Sequence, residues 1–367
     1  MTRKTMIDFA TATLPVVTGC SRDGNKGCDN CYAAFQAATR LKHLPHYVGL
    51  AGFDKNGIAQ WTGKVRCNAD VPEEPLRTKK PQRYFIAPRG DLFHAQVPDD
   101  FLDKVFAVMA LCPQHTFLIF TKRAERRRDY LLSRNGMGNA QLCLAINEIP
   151  ANLGNRHGAL SMPLPNVWQI TSVWDQESAN RLIPPTLETP AAVRGVSLAP
   201  MLGPVDLRDF IRNINWVIVE GESGKAARPM HPDWVRSIRD QCAAAGVPFY
   251  FKQWGEWLPT SGIDVYCHGP DRKRKYPTSD GLCWLRDGRI IYRDYSVEEH
   301  ARRVASGKAH NSAAVIIDKD AFNDTARVLE DDERELDNPL GLEWMYRVGK
   351  AKAGRLLDGA EHLEMPK

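Results

Sequence analysis

Cys20, Cys28 and Cys31 follow the spacing CX7CX2C inside Val16-Val17-Thr18-Gly19-Cys20-Ser21-Arg22-Asp23-Gly24-Asn25-Lys26-Gly27-Cys28-Asp29-Asn30-Cys31-Tyr32. Three thiolates can hold a cubane [4Fe-4S] cluster and leave one iron open to a substrate, whereas four would close the site. Gly19, Gly24 and Gly27 crowd the loop, and glycine lets a backbone turn tightly around a bulky inorganic ligand. Two rival readings stand beside the cluster. One is zinc, with His43 or His46 supplying a fourth ligand. The other is a set of structural thiols in which CX2C is a chance pair.

Further polar residues stand where short apolar runs end. They are Arg89-Gly90-Asp91 with His94 nearby, Thr121-Lys122, Thr171-Ser172, Ser197, Glu220-Gly221-Glu222-Ser223-Gly224 and Lys252-Gln253-Trp254. Each has a plainer reading. Asp91 caps the helix after it, His94 is a buried structural histidine, Lys122 and Lys252 sit in salt bridges, and 220–224 is a surface turn.

The runs that position these residues predict strands at 84–87, 116–121, 167–173, 193–198, 216–219 and 248–251, with a further run at 14–17 before Cys20. Most are continuously apolar or β-branched, as in parallel strands buried on both faces. Helical patterns alternate with them at 32–42, 99–111, 124–133 and 232–245, the last opening on Pro232-Asp233 and closing at Gly246. About seven β-α repeats predict an α/β fold, a partial parallel (β/α) TIM-like barrel. The C-terminal strand ends form the active face of such a barrel, so the polar ends and the cysteine loop converge on one mouth.

The barrel is expected over 1–257, with an insertion around 48–80 that carries Trp61 and Cys67. Residues 258–367 read as a C-terminal α+β addition packed on the barrel. It holds a basic, turn-rich stretch at 269–277, a hairpin at 282–292 around Asp287-Gly288, an acidic patch at 330–335 and a helix-like segment at 340–350. There is no internal repeat.

The chain has 367 residues, 43% hydrophobic and 25% charged, the composition of an ordinary soluble protein. No apolar run approaches the roughly 20 residues of a membrane helix, and 1–9 lacks a signal-peptide core. The expected location is therefore the cytoplasm, with no membrane partner. The nine cysteines are an odd number; Cys112 and Cys242 read as core residues, and no disulfide framework is expected. A net charge of +5 permits a polyanionic partner without demanding one. If that partner is DNA, Arg126-Arg127-Arg128 and the basic run 272–275 are the expected phosphate contacts.

In order along the chain stand Thr18-Gly19-Cys20, Gly27-Cys28-Asp29-Asn30-Cys31-Tyr32-Ala33, Asp91-Leu92-Phe93-His94 and Phe120-Thr121-Lys122-Arg123. They continue through Pro165-Asn166-Val167-Trp168, Gly203-Pro204-Val205, Gly221-Glu222-Ser223-Gly224, Arg228-Pro229-Met230, Asp233-Trp234 and Phe251-Lys252-Gln253-Trp254-Gly255. This set resembles the three-Cys-motif proteins, a radical-SAM-like group of bacteriophages and bacteria. The resemblance spans roughly 14–257, and the tail Gly354-Arg355-Leu356-Leu357-Asp358-Gly359 is similar too.

The resemblance implies a [4Fe-4S] cluster on Cys20, Cys28 and Cys31, with S-adenosylmethionine (SAM) chelating the open iron. Reduction by an external flavodoxin- or ferredoxin-like donor then gives a 5′-deoxyadenosyl radical that abstracts hydrogen from substrate. It further implies an isomerase-type rearrangement of an amino-acid adduct on a modified thymine base in phage DNA, a thymidine hypermodification. On this reading Gly90 and Asp91 meet the SAM amino group. Thr171, Ser172 and Ser197 meet its ribose or carboxylate, Glu220 and Tyr32 complete the cofactor site, and Lys122, Glu222 and His94 serve catalysis.

The chain departs from the group at Glu220, commonly glycine, and at Ala199 and Trp174, both commonly glutamate. The commonest radical-SAM spacing is CX3CX2C with an aromatic before the last cysteine; here Asn30 holds that place and Tyr32 follows. Two rival functions are a radical SAM enzyme acting on a small metabolite or peptide, and a zinc- or nucleic-acid-binding protein without catalysis.

Overall fold

The computed structural model describes residues 5, 7–70, 72–136, 139–155, 160–259, 281–284, 290–292, 343–347 and 350–366. In chain order, β1 (Ala12–Leu14) and β2 (Val17–Thr18) lead through the cysteine loop into α1 (Tyr32–Ala38). The hairpin of β3 (Ala51–Phe53) and β4 (Ala59–Trp61) follows, then β5 (Arg66–Cys67). Next come β6 (Arg83–Ile86), α2 (Asp99–Ala110), β7 (Thr116–Thr121), α3 (Ala124–Ser133) and α4 (Asn139–Glu148). They are followed by β8 (Val167–Val173), α5 (Gln176–Glu188), β9 (Val193–Leu198), β10 (Trp216–Glu220), α6 (Pro232–Ala245) and β11 (Phe249–Gln253). The chain ends with β12 (Trp257–Pro259), β13 (Gly281–Trp284), β14 (Ile290–Tyr292), β15 (Glu343–Arg347) and α7 (Lys350–Ala353).

One sheet runs β1-β6-β7-β8-β9-β10-β11, and every pairing in it is parallel. A flat sheet would hold β6 and β11 roughly 24 Å apart at ordinary strand spacing. Yet the Phe9 ring lies 6.2 Å from Phe85 on β6 and 5.7 Å from Tyr250 on β11. The sheet is therefore curled into a half-barrel, as the α/β repeats predict. Phe9, Leu118, Ile170, Trp216, Ile218 and Tyr250 fill the concave side. The helices cover the convex side, where Val173, Leu198 and Val219 pack with Leu182 and Ile183 of α5 and Ile238 of α6.

Three local features differ from expectation. The run at 14–17 is broken: β1 joins the sheet, while β2 turns away to pair antiparallel with β5. Pro15 between them has no N–H to continue a ladder. The segment at 340–350 is not helical over 343–347, and its last residue, Lys350, begins a helix. Glu343–Arg347 is a strand paired antiparallel with both β12 and β13, and Trp344 and Tyr346 are of the types enriched in strands. Helices α4 and α5 are additional to the expected set.

The C-terminal residues pack on the half-barrel. Tyr250 and Leu363 form an antiparallel bridge, and Phe251 N donates to His362 O at 2.8 Å. The tail thus covers the β11 edge, which would otherwise present unpaired backbone groups. The basic stretch 269–277, the Asp287-Gly288 turn and the acidic patch 330–335 lie outside the described residues. Among the described residues no helix is long and apolar enough to cross a membrane.

Candidate functional site

The cysteine loop is seated on the C-terminal ends of the strands by close backbone contact. Gly19 and Gly90 form a parallel bridge, and a Cβ on Gly90 would stand 2.6 Å from Val17 O. Gly19 adopts φ +88, where a side chain would also collide with Lys64 O. Further along, a Cβ on Gly27 would lie 2.8 Å from the Trp174 indole. Trp174, one of the departures from the resembled group, is thus a floor for the loop just past β8. Arg181 of α5 lies over the Trp174 ring and donates to Asn25 Oδ1 at 3.2 Å.

Two arginines clamp the loop from opposite sides. Arg123, just after β7, donates from Nη1 to Asp91 Oδ2 at 2.9 Å and to Cys20 Sγ at 3.5 Å. Its Nη2 donates to Ser21 Oγ at 2.9 Å and to Asp23 Oδ2 at 2.5 Å. Arg228, beyond β10, donates from Nε and Nη2 to the two Glu222 oxygens at 2.9 and 2.7 Å, and from Nη2 to Lys26 O at 3.0 Å. It also pairs with Asp29 at 3.3 Å, and Asn30 Nδ2 donates to Glu222 Oε2 at 3.1 Å.

Three of the expected site residues, Asp91 for the cofactor and His94 and Glu222 for catalysis, are engaged by these clamps. Asp91 accepts from Phe93 N, Thr121 Oγ1, Lys122 N and Arg123, which uses the acceptor sites of both oxygens. It does not cap α2, whose N-cap is Pro98. His94 accepts from Gln96 N at Nδ1, and its Nε2 lies 2.8 Å from Ser21 Oγ. The neutral ring therefore carries its hydrogen on Nε2; burial, then Arg123, lower its pKa. Glu222 is held by Arg228 and Asn30. All three position the loop.

The thiols are half-buried. Burial pushes Cys20 up to about 12 against the opposing pull of Arg123, and it also raises Cys28 against the pull of Lys122. Cys20 senses the charge of Cys28, and Cys28 that of Cys31, so the three are electrostatic neighbours. Among the described residues, no three His, Cys, Asp or Glu side chains converge on one metal position as they stand. Holding a cluster therefore requires the thiols to turn toward a common centre. The donor chemistry fits: three thiols on one loop, with cationic Arg123 and Lys122 favouring their thiolates.

Strand parity sorts the remaining candidates. Ser172 and Ser197 are register partners on β8 and β9, on the concave side with Ile170 and Ile218. Both are buried, and neither hydroxyl has a hydrogen-bond partner among the described residues. Glu220, on the same side at the end of β10, accepts from Lys252 Nζ at 2.6 Å and Gln253 Nε2 at 2.9 Å. Tyr32 donates to Pro88 O at 3.3 Å. Burial of its hydroxyl and then the charge of Glu220 raise its pKa, while the side chain as a whole is 47% exposed. Lys122 lies near Cys28. Gly90 serves backbone approach.

Thr171 points the other way, into the helix layer, where its Oγ1 accepts from Arg127 Nη2 at 2.7 Å and lies 2.6 Å from Thr186 Oγ1. Arg127 is fully buried, with no partner for Nε or Nη1 among the described residues. Arg126 pairs with Asp99, and Arg128 with Asp129 and Glu188. The expectation that Arg126-Arg127-Arg128 contacts phosphate is therefore corrected: one is interior and two are neutralised.

Arg123 and Arg228 are the residues that sequence reasoning missed in this role. Both stood within the quoted motifs, and an arginine just past a polar strand end was the available signal.

A family model described as "Protein of unknown function (DUF5131)" matches residues 4–366. The chain belongs to that family. Curated proteins offer no match. Solved structures of spore photoproduct lyase are similar. A cysteine-to-serine mutant is 12% identical with a TM-score of 0.34, the match covering 84% of this chain and 74% of that one. A double mutant with bound AdoMet and dinucleoside spore photoproduct is 13% identical with a TM-score of 0.35, at the same coverage. At these values the likeness speaks to neither the chemistry nor the substrate of this family member.

Proposed function

We propose that the protein is a radical SAM enzyme. In this reading Cys20, Cys28 and Cys31 hold a [4Fe-4S] cluster at the mouth of the half-barrel. One observation carries the reading: the three thiols lie on one loop, pinned by Arg123 and Arg228, over a mouth lined by two serine hydroxyls that have no hydrogen-bond partner among the described residues. When bound, such a cluster supplies the electron that breaks a carbon–sulfur bond of SAM and yields a hydrogen-abstracting radical. The electron comes from an external flavodoxin- or ferredoxin-like donor.

The chain's own residues orient the reactants. Ser172 and Ser197 offer hydroxyls to a ribose or carboxylate, and Lys122 offers a cation beside the thiols. Glu220, fixed by Lys252 and Gln253, offers an acceptor, and Tyr32 offers a hydroxyl. Asp91 and His94 hold the loop through Arg123 and Ser21. The proposed substrate is a modified thymine base in DNA, with rearrangement of an attached amino acid; this rests on the motif resemblance and is compatible with the net positive charge.

Anaerobic reconstitution followed by iron and sulfide analysis tests the proposal. The expected product is a brown protein with absorption near about 400 nm that bleaches with dithionite and releases 5′-deoxyadenosine from SAM. Cys28→Ala should abolish all three properties. A colourless chain holding one zinc would overturn the reading. Mass spectrometry of DNA nucleosides with and without the gene tests the substrate separately.

A further inference from the structure

We infer that the outer face of α1 and the adjoining β3–β4 hairpin form a docking platform for single-stranded DNA. Only the choice of DNA as the polyanion rests on the proposed function. The face itself stands on its own observations.

Helix α1 is inverted relative to an ordinary surface helix. Its alanines, Ala33, Ala34, Ala37 and Ala38, face inward, while Tyr32 and Phe35 are 47% and 53% exposed. Three residues apart, they share one helix face. Phe53 on β3 is 52% exposed and meets Phe35 edge-to-face at 6.4 Å. These three are all of the strongly exposed aromatic side chains among the described residues. Burying alanine and exposing aromatics gains nothing for the fold. It is what a stacking surface for unpaired bases requires.

Charge points to the same occupant. Residues 32–66 contain five bases (Arg40, Lys42, Lys55, Lys64 and Arg66) and one acid, Asp54, so this stretch is net +4 in a chain of net +5. Asp54 is turned to its own hairpin, where it accepts from Asn56 N and Ile58 N at 2.9 Å. Arg40, Lys42, Lys55 and Lys64 are exposed and have no ion-pair partner among the described residues, although most arginines elsewhere do. Exposed cations in the same stretch as open aromatic rings suit a strand that presents phosphates and bases together. Tyr32 directly follows Cys31, so a strand on this face passes beside the proposed centre.

The test is fluorescence anisotropy on the reconstituted full chain, with a labelled oligothymidine of about 15 nucleotides and a duplex of equal length. Single strand should bind more tightly than duplex. Phe35→Ala and Phe53→Ala should each weaken it about tenfold, and Lys42→Ala and Lys55→Ala should each lower the salt slope by about one. Dithionite-driven SAM cleavage should stay unchanged in all four variants. Equal or tighter duplex binding, or unaltered oligonucleotide affinity in both phenylalanine variants, would overturn the inference. Variants that keep DNA affinity but lose reduction by an acidic electron carrier would assign the face to the reductant instead. Loss of a wild-type dimer would assign it to a second copy. If no cluster forms but the oligonucleotide pattern holds, the platform stands and the radical SAM reading falls.

Discussion

Replacing Glu222 by alanine tests the proposed clamp on the cysteine loop directly. The Glu222 side chain is 5% exposed and that of Arg228 13%. Glu222 accepts from Arg228 N, Nε and Nη2 and from Asn30 Nδ2. Removing one member of a buried ion pair costs about 3–5 kcal/mol, because the remaining charge stays desolvated. Asp29 remains at 3.3 Å from the guanidinium, which sets the expectation at the lower end, about 3 kcal/mol. That converts to roughly 100-fold faster local opening. Hydrogen exchange read by mass spectrometry should show it in peptides covering 26–32, where Cys28 N donates to Asn25 O and Asp29 N to Lys26 O. Glu220→Ala is the control. Its pair with Lys252 is more exposed, at 19% and 20%, so its loss should cost about 1 kcal/mol or less and leave the loop's exchange unchanged. If Glu222→Ala behaves like Glu220→Ala, the clamp reading is wrong.

Gly27→Ala should destabilise by about 1–3 kcal/mol, since its Cβ meets Trp174, and Trp174→Leu in the same chain should recover part of that loss in thermal melts. Cys112 and Cys242 are pushed up to about 12, chiefly by burial, against 9.0 for a free thiol. The native chain therefore holds more protons between those values, and stability should fall as pH rises through that window. At pH near 8 an alkylating reagent should label exposed Cys143 and spare both, as peptide mass spectrometry would show. His94 has a pKa below the usual 6.5, so the unfolded chain binds more protons as pH falls past that value. Its contribution to stability should be lost on acidification, and His94→Gln should flatten the acid limb of a pH–stability profile.

The half-barrel was legible because strands buried on both faces read as unbroken apolar runs, and six of them fall within a residue or two of expectation. Gly246, in the left-handed region at φ +67, ends α6 as its sequence predicts. The site was less legible. Thr171 and Ser172 are adjacent and chemically alike, yet alternation sends one to the helices and the other to the mouth. Asp91 at a strand end looks the same in sequence whether it awaits a ligand or holds Arg123. The pairing of the tail with β11 and of β15 with β12 joins residues far apart in the chain, which no local pattern encodes.

Strands β12 and β15 are hydrogen-bonded neighbours, with Leu258 opposite Tyr346, and residues 260–342 begin and end at that pair. A segment whose two ends already lie side by side can be lengthened, trimmed or exchanged without moving the strands that bear the thiols. Relatives are therefore expected to differ in length and sequence chiefly between β12 and β15, and to keep the loop, its two arginines and the tail that pairs with β11 together.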